Sequence, residues 1–447
     1  MVIHWGPCSL HRRRPIANIR IRWICAGARS GCRAESAPIT QGPGSGKIGQ
    51  LSGPKPGWVR NRGMRRVSRS ASRGHRRIDE LVQLALGLGR SECAQEDRFY
   101  QDRLKPLIRA LLADGHEKSL IEALDRLHTQ LPRAFEGLSD LIEAEAMGGE
   151  TGLLIALPIL AWSRYDIPAR SLNPEQCHEL CALLKDGVVA AGASLVLADF
   201  LFGPDQLPAG YCGAYSLTSH LRQRLAEAEP VLAVDAAAMP TSNRYLADPR
   251  YLLGLIRARP GDQALFRWHD AAASRDDIDQ HWQQVAHRPL SDLLSNCAIT
   301  LLSPDAYFPA LRRTDEHGRS FTLQACAAQM QAQYDLTPDR IHAVIAPCYD
   351  NAVLVEYRIG LLRENHPEVL HGSVWGLLEG EDDLSDVATQ IRDVLQQMGI
   401  KRIDVLRGRF PVADCEDCGA PLFPGADGEL THTQTVDAPL PVSKQLH

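Results

Sequence analysis

Residues 152–162 read GLLIALPILAW, a single apolar run with no charge and no alternation. It is far shorter than the roughly 20 apolar residues a membrane-crossing helix needs. A strand buried on both faces reads this way, because neither face has to meet water. Pro158 lacks an N–H, which predicts a bend or an edge position within that strand. Downstream, Asn173-Pro174 supplies a helix cap and a first-turn residue, and Gln176 stands at the capping-box position. That helix is expected to run to about residue 189, and SLVLADFLF at 194–202 returns as a strand. Strand, helix and strand in this order predict an α/β layer.

Working outward, residues 76–147 carry helical spacing. Phe99, Leu104, Leu107, Ile108, Leu111 and Leu112 form one stripe, Leu120, Ile121, Leu124 and Leu127 a second, and Phe135, Leu138, Leu141 and Ile142 a third. Short links predict antiparallel neighbours. Beyond 202 the pattern is mixed: 251–269 reads as two strands around Pro260-Gly261-Asp262, with helices over 276–288 and 319–334 flanking a strand at 297–303. Runs at 341–347, 352–361 and 369–378 then read as strands. Asp383 or Asp382 is expected to cap a helix with Leu384, Val387, Ala388, Ile391, Leu395 and Met398 on one face, ended by Gly399, before Ile403–Leu406 returns as a strand. The expectation is an α/β (α+β) fold. Its parts are a helical module over 76–150, mixed-sheet α/β units over 151–300 and 301–410, and a zinc-knuckle-like tail over 411–447.

The chain has 447 residues and a net charge of −5, which conceals an asymmetry. Residues 1–63 hold nine Arg and two Lys against Glu35 alone, a net of +10, leaving −15 for 64–447. The acidic balance argues against broad contact with a nucleic-acid backbone. The first 63 residues show no sustained periodicity and no apolar signal core, so 1–75 is expected to be an extension ahead of a start at Met64, or a disordered arm. The fragment Gly42–Ile48 imitates a phosphate-binding loop, but Gln41 replaces its first Gly and Ile48 the magnesium-binding hydroxyl.

The sharpest chemical motif is Cys415-Glu416-Asp417-Cys418-Gly419. Two thiolates separated by two residues can grip one tetrahedral metal, and Gly419 permits the turn. A closed zinc site needs four ligands, so the pair is half a site. His432 is the nearest further candidate; His447, His371, Cys348 or the same pair from a symmetric homodimer are alternatives. A plain loop with free thiols, or a redox pair, is the competing reading. Cys177-His178-Glu179-Leu180-Cys181 is different: Cys177, Leu180, Cys181 and Leu184 follow the spacing of a buried helical stripe, with His178 outside it. No nucleophile elbow, HExxH or complete dinucleotide loop is present, and Cys348 and His342, about 20 Å apart along one strand, are not placed as nucleophile and base. Two loops following strands, Ser163–Pro168 with Arg164 and Asp166, and Gly203–Pro208 with Asp205, could line a pocket or simply be Pro-stiffened turns.

Three passages carry a family resemblance: Ile78-Asp79-Glu80-Leu81-Val82 with Glu96-Asp97-Arg98-Phe99, then Ala161-Trp162-Ser163-Arg164-Tyr165, then Cys415–Gly419. Over about 77–447 the chain resembles a betaproteobacterial family known only as a domain of unknown function. The resemblance implies a bacterial cytoplasmic protein and a start near Met64, and it carries no catalytic roles.

The functional expectation is a cytoplasmic binding or regulatory module with a structural zinc element held by Cys415, Cys418 and His432. The alternative is an enzyme with a pocket between the two α/β units acting on an anionic small molecule. Neither a membrane nor a nucleic-acid partner is expected.

Overall fold

The computed structural model describes residues 69–163, 166–240, 247–259, 261, 263–269, 273–378, 380–416 and 419–433. The expectations for residues 1–63, Arg164, Cys418 and His447 lie outside the described residues.

Four helices open the described chain: α1 (Arg69–Arg90), α2 (Ala94–Ala113), α3 (Glu117–His128) and α4 (Pro132–Ala146). Their apolar stripes meet in one core through Leu104, Ile108, Leu124, Leu127, Leu138 and Ile142. Phe99 departs from its expected place in that stripe: it is 49% exposed, with the Arg103 guanidinium 3.5 Å above its ring. One turn of α2 thus ends outside the helical contact, and a cation covers the ring instead of the core.

The 152–162 run forms β1 (Leu153–Trp162), the inner strand of a sheet ordered β5-β3-β6-β1-β7. The other strands are β3 (Ser194–Ala198), β5 (Val231–Leu232), β6 (Ala247–Arg257), β7 (Ala298–Leu301) and β8 (Asp305–Ala306), while β2 (Arg170–Ser171) and β4 (Phe200–Leu201) form a small separate pair. Both β1 and β3 run antiparallel to β6, so they are parallel to each other with β6 between them. Helices α5 (Pro174–Gly187) and α7 (Arg275–Leu293) cover one face, where Ile155, Leu157 and Ile159 point. The helical module, α6 (Gly210–Ala226) and the start of α8 (Tyr307–Tyr334) cover the other, where Leu154 and Ala156 point. Burial from both sides explains the unbroken apolar sequence. Pro158 is not at an edge: it sits where the neighbour of β1 changes from β7, which pairs with 159–162, to β8, which pairs with 155–156. Its carbonyl accepts from Leu302 N at 3.1 Å on that same side, so no ladder bond to β6 is lost.

The capping box at Asn173 and Gln176 is present. The expected hairpin over 251–269 is not: β6 already has β3 and β1 on its two sides, which leaves no edge for a returning strand, and Phe266 makes only an isolated bridge with Val189. On α5, Cys177, Leu180, Cys181 and Leu184 are buried and His178 is exposed, as the spacing requires.

The second sheet is ordered β11-β10-β9-β12, from β9 (Ile341–Asp350), β10 (Val353–Arg363), β11 (Val369–Gly376) and β12 (Arg402–Val405), with β13 (Phe410–Pro411) extending beside β9. The first three form an antiparallel meander, and β12 returns parallel to β9 after α9 (Val387–Gln397). The cap of α9 is Asp386, whose carboxylate accepts from Thr389 N at 3.3 Å. The expected caps sit one turn too early: Asp382 instead closes the preceding turn by accepting from Leu384 N and Ser385 N, which leaves Leu384 92% exposed.

Helix α8 joins the two sheets. Its first half packs on β1 and β6, and its second half, through Leu323, Cys326 and Met330, packs with α9 on the second sheet. The opposite face of that sheet carries Val344, Leu362, Val369 and Val374 beneath Phe423 of β14 (Phe423–Pro424), which pairs with β15 (Leu430–Thr431). No described helix is long and apolar enough to cross a membrane.

Candidate functional site

Where the two sheets approach each other beneath α8, a small cleft open to solvent is bounded by the start of β6, the middle of α8 and the end of β11. Its walls are largely apolar, with Leu160, Phe321, Val374 and Leu377 among them. Gly318 faces open space: a Cβ built there would meet nothing within 4 Å. A glycine in the interior of a 28-residue helix is unfavourable in itself. Here the missing side chain keeps the cleft open.

The charged groups of the cleft are tightly partnered. Asp248 accepts from Arg250 Nη1 at 2.7 Å. Arg250 is 1% exposed and also donates to the carbonyls of Ile167, Pro168 and Pro249 at 2.5, 2.9 and 2.9 Å. A buried guanidinium is tolerable only when its donors are used in this way. Arg319, on α8, forks onto Glu381 at 2.6 and 3.1 Å, donates to the Gly376 carbonyl at 3.2 Å and lies 4.8 Å from the Trp375 ring centroid. Its Nε is buried and has no hydrogen-bond partner.

The backbone of β11 also bears on the cleft. This strand is at the edge of its sheet. The Gly372 carbonyl accepts from Cys326 Sγ and the Gly376 carbonyl from Arg319, both on α8, so residues 372, 374 and 376 turn their backbone polar groups away from β10.

The two sequence-predicted pocket loops stand elsewhere. No described residue of 163–168 or 203–208 lines the cleft. Residues 167–168 are pinned by Arg250, and 203–206 is a capped turn in which Gln206 accepts from Gly203 N and donates to the Pro240 carbonyl. Both are held as structural turns, with Asp205 exposed at the surface.

The Cys415 segment is a tight hairpin. Asp414 bridges Pro421, Cys415 N donates to the Ala420 carbonyl at 2.7 Å, and Gly419 N donates to the Cys415 carbonyl at 2.8 Å. Gly419 has φ +72°, the left-handed conformation that the turn needs. The half-buried His432 donates from Nδ1 to the Thr433 carbonyl at 2.7 Å. Of the alternative ligands, His371 faces α8, on the side of the sheet away from the tail, and burial pushes its pKa down to about 4. Cys348 is on the tail side but fully buried, its thiol pushed up to about 12 by desolvation against the opposing pull of Arg358. That environment suits neither a ligand nor a nucleophile. Among the described residues no group of three or more His, Cys, Asp or Glu stands together as a metal site.

Arg358 organises this segment. It is completely buried and donates to Glu356 at 2.9 Å, to Asp414 at 3.1 Å, and to the carbonyls of Ala413 and Leu422. The alternation Glu356-x-Arg358 inside an otherwise apolar strand was the signal available in the sequence for this site, as Asp248-x-Arg250 was for the other.

The model of one protein family, described as a protein of unknown function (DUF2863), matches residues 66–444. No curated protein and no solved structure matches the chain.

Proposed function

The chain belongs to the DUF2863 family, and from the geometry above we propose that it is a ligand-binding or regulatory module whose two sheets, bridged by α8, hold a small molecule in the cleft beside Gly318. The observation that carries this reading is the apolar cleft itself, kept open by a glycine that the helix would otherwise disfavour. Binding is favoured over turnover because Asp248 and Arg319 are already committed to Arg250 and Glu381. The alternative of an enzyme for an anionic small molecule has less support, since Asp248 and Asp315 are among the residues that line the same space. All eight described cysteines are free thiols, which supports a location in a reducing cell interior.

The test is a fragment screen by saturation-transfer NMR on the full chain and on Gly318→Leu, which fills the cleft. Fragments that compete for one site and are lost in the variant support the reading. Fragments that bind the variant equally well place the site elsewhere and defeat it.

A second reading concerns the tail: a structural zinc ion held by Cys415 and Cys418, with His432 as a third ligand. Its support is the Gly419 turn, which the spacing of the two cysteines needs. Metal content by plasma mass spectrometry, beside Cys415→Ser/Cys418→Ser, tests it. Near one zinc per chain, lost in the variant, supports the site, half a zinc per chain indicates a site shared across a homodimer, and no zinc in folded protein returns the segment to a plain turn.

A further inference from the structure

We infer that β12 takes an extended, acidic peptide of a partner protein as a further strand on its free edge. This surface lies at the far side of the second sheet from β11 and the cleft, and it does not depend on how the cleft is used.

The backbone supplies the first observation. β12 ends its sheet: β9 pairs with it on one side and no described strand on the other. Leu406 N donates to the Ile345 carbonyl at 2.8 Å, which fixes the alternation. Residues 402, 404 and 406 turn their N–H and C=O groups to β9, and 403 and 405 turn theirs outward. No described residue gives those outward groups a partner. Ile403 and Val405 lie half-buried on the face toward α9, so the edge is continuous with the core. An extended segment laid along it gains main-chain hydrogen bonds at 403 and 405 and apolar contact beside their side chains.

Charge identifies the partner. Residues 401–409 contain Lys401, Arg402, Arg407 and Arg409, all exposed, against Asp404 alone. β13 continues beside β9 where β12 leaves off, so the four cations follow one edge. None of them is in an ion pair with a described residue: Arg402 meets the Asn365 amide oxygen at 3.2 Å, and Arg409 lies 4.8 Å over the Tyr349 ring. Asp404 is held by His342 Nε2 at 2.7 Å. Such a run stands out against the −15 carried by residues 64–447. Cations on a sheet edge repel a basic strand, and an edge-to-edge pair of two copies would bring two sets of them together. An acidic strand is the one they attract. A nucleic-acid phosphate answers the charge and the N–H groups but leaves the C=O groups of 403 and 405 unmatched.

The test is fluorescence anisotropy on the full chain with four labelled probes. They are a short peptide alternating Glu and Val, its Lys and Val counterpart, the acidic peptide N-methylated throughout, and a single-stranded DNA of matched charge. N-methylation keeps the charge and removes every backbone donor. Two variants accompany them. Val405→Pro removes an outward donor without touching the ladder to β9, and Arg402→Glu/Arg407→Glu reverses exposed charge. The acidic peptide is expected to bind about tenfold more tightly than the other three probes, and each variant to weaken it about tenfold. If the methylated peptide or the DNA binds as tightly as the acidic peptide, the edge answers to charge alone and strand addition is overturned. Equal binding of the basic peptide overturns the choice of an acidic partner. Unchanged binding to folded Val405→Pro, or no binding of any probe, overturns the proposal outright. Circular dichroism and thermal melts establish that the variants fold; should Val405→Pro fail to, the charge reversal and the methylated peptide carry the decision.

Discussion

Gly360 and Gly372 stand directly opposite each other in the β10–β11 register and together make a bare patch on which the C-terminal segment rests. A Cβ on Gly372 would fall 2.3 Å from the Phe423 ring, and one on Gly360 would fall 2.1 Å from the Pro424 carbonyl oxygen. Phe423 is fully buried by this fit. Gly372→Ala is therefore expected to destabilise the protein by ~1–3 kcal/mol through overpacking, and Phe423→Ala by ~3–5 kcal/mol through the cavity it leaves. Removing the ring makes room for the methyl group, so the double variant should cost clearly less than the sum. Urea unfolding of the four proteins reads this directly, and strict additivity would show that the two residues do not touch.

Arg358 holds the same segment by polar means. Arg358→Met leaves Glu356 as a buried carboxylate without its partner and frees the carbonyls of Ala413 and Leu422. The expected loss is ~3–5 kcal/mol, as for other broken buried pairs. Arg358→Lys should recover only part of it, because one ammonium cannot reach all four acceptors. Limited trypsin digestion offers a local readout: cleavage after Arg407 and Arg409 should accelerate in both variants, more so in Arg358→Met.

Gly318→Ala places a methyl group in open space and improves helix propensity. A gain of up to ~1 kcal/mol in stability is expected, visible as a rise in Tm. A fall in Tm would mean that the helix packs tightly at this position and that the cleft is narrower than described.

His371 gives the fold a pH dependence. Burial holds its pKa near 4, so between the ordinary value of about 6.5 and about 4 the unfolded chain binds a proton that the native state refuses. The stabilisation is complete above about pH 6.5 and is lost as pH falls toward 4, by an amount on the order of 3 kcal/mol. His371→Asn retains an acceptor for the Gly372 N–H, which donates to His371 Nδ1 at 3.0 Å, and should flatten the unfolding free energy across that window. An unchanged slope would assign the dependence to other groups.

Elements whose chemistry is local were legible in the sequence. The Asn173 cap, the Cys177–Leu184 stripe and the β-β-β-α-β order of the C-terminal unit all follow from residues within a turn or two of one another. The errors came where a distant partner decided the outcome. Pro158 predicts a bend or an edge position, because the sequence does not show that β7 and β8 meet beside it. The stretch after Arg257 looked like a returning strand because the sequence does not show that both sides of β6 are occupied. Local competition explains Asp386: three aspartates, Asp382, Asp383 and Asp386, precede α9, and only the side chains around Ser385 decide which of them starts the helix. The cleft was hidden for the same long-range reason. The helix expected over 319–334 stops short of Gly318, and only the approach of strands more than 50 residues away on either side sets that glycine beside an opening.

The position of β6 also bears on how the chain is made. β1 and β3 are its two sheet neighbours, and both are synthesised before it, with residues 199–246 separating the end of β3 from the start of β6. At ribosomal rates of roughly 5–20 residues per second, the nascent chain carries two unpaired strand edges for several seconds before the strand that fills the gap emerges. Those edges belong to some of the most apolar sequence in the protein, so that interval is when the chain is most prone to join another copy of itself edge to edge. The helical module, complete by Ala146, is already available to cover one face of the half-built sheet during that wait. The order of elements along the chain thus places the shield ahead of the surface it protects.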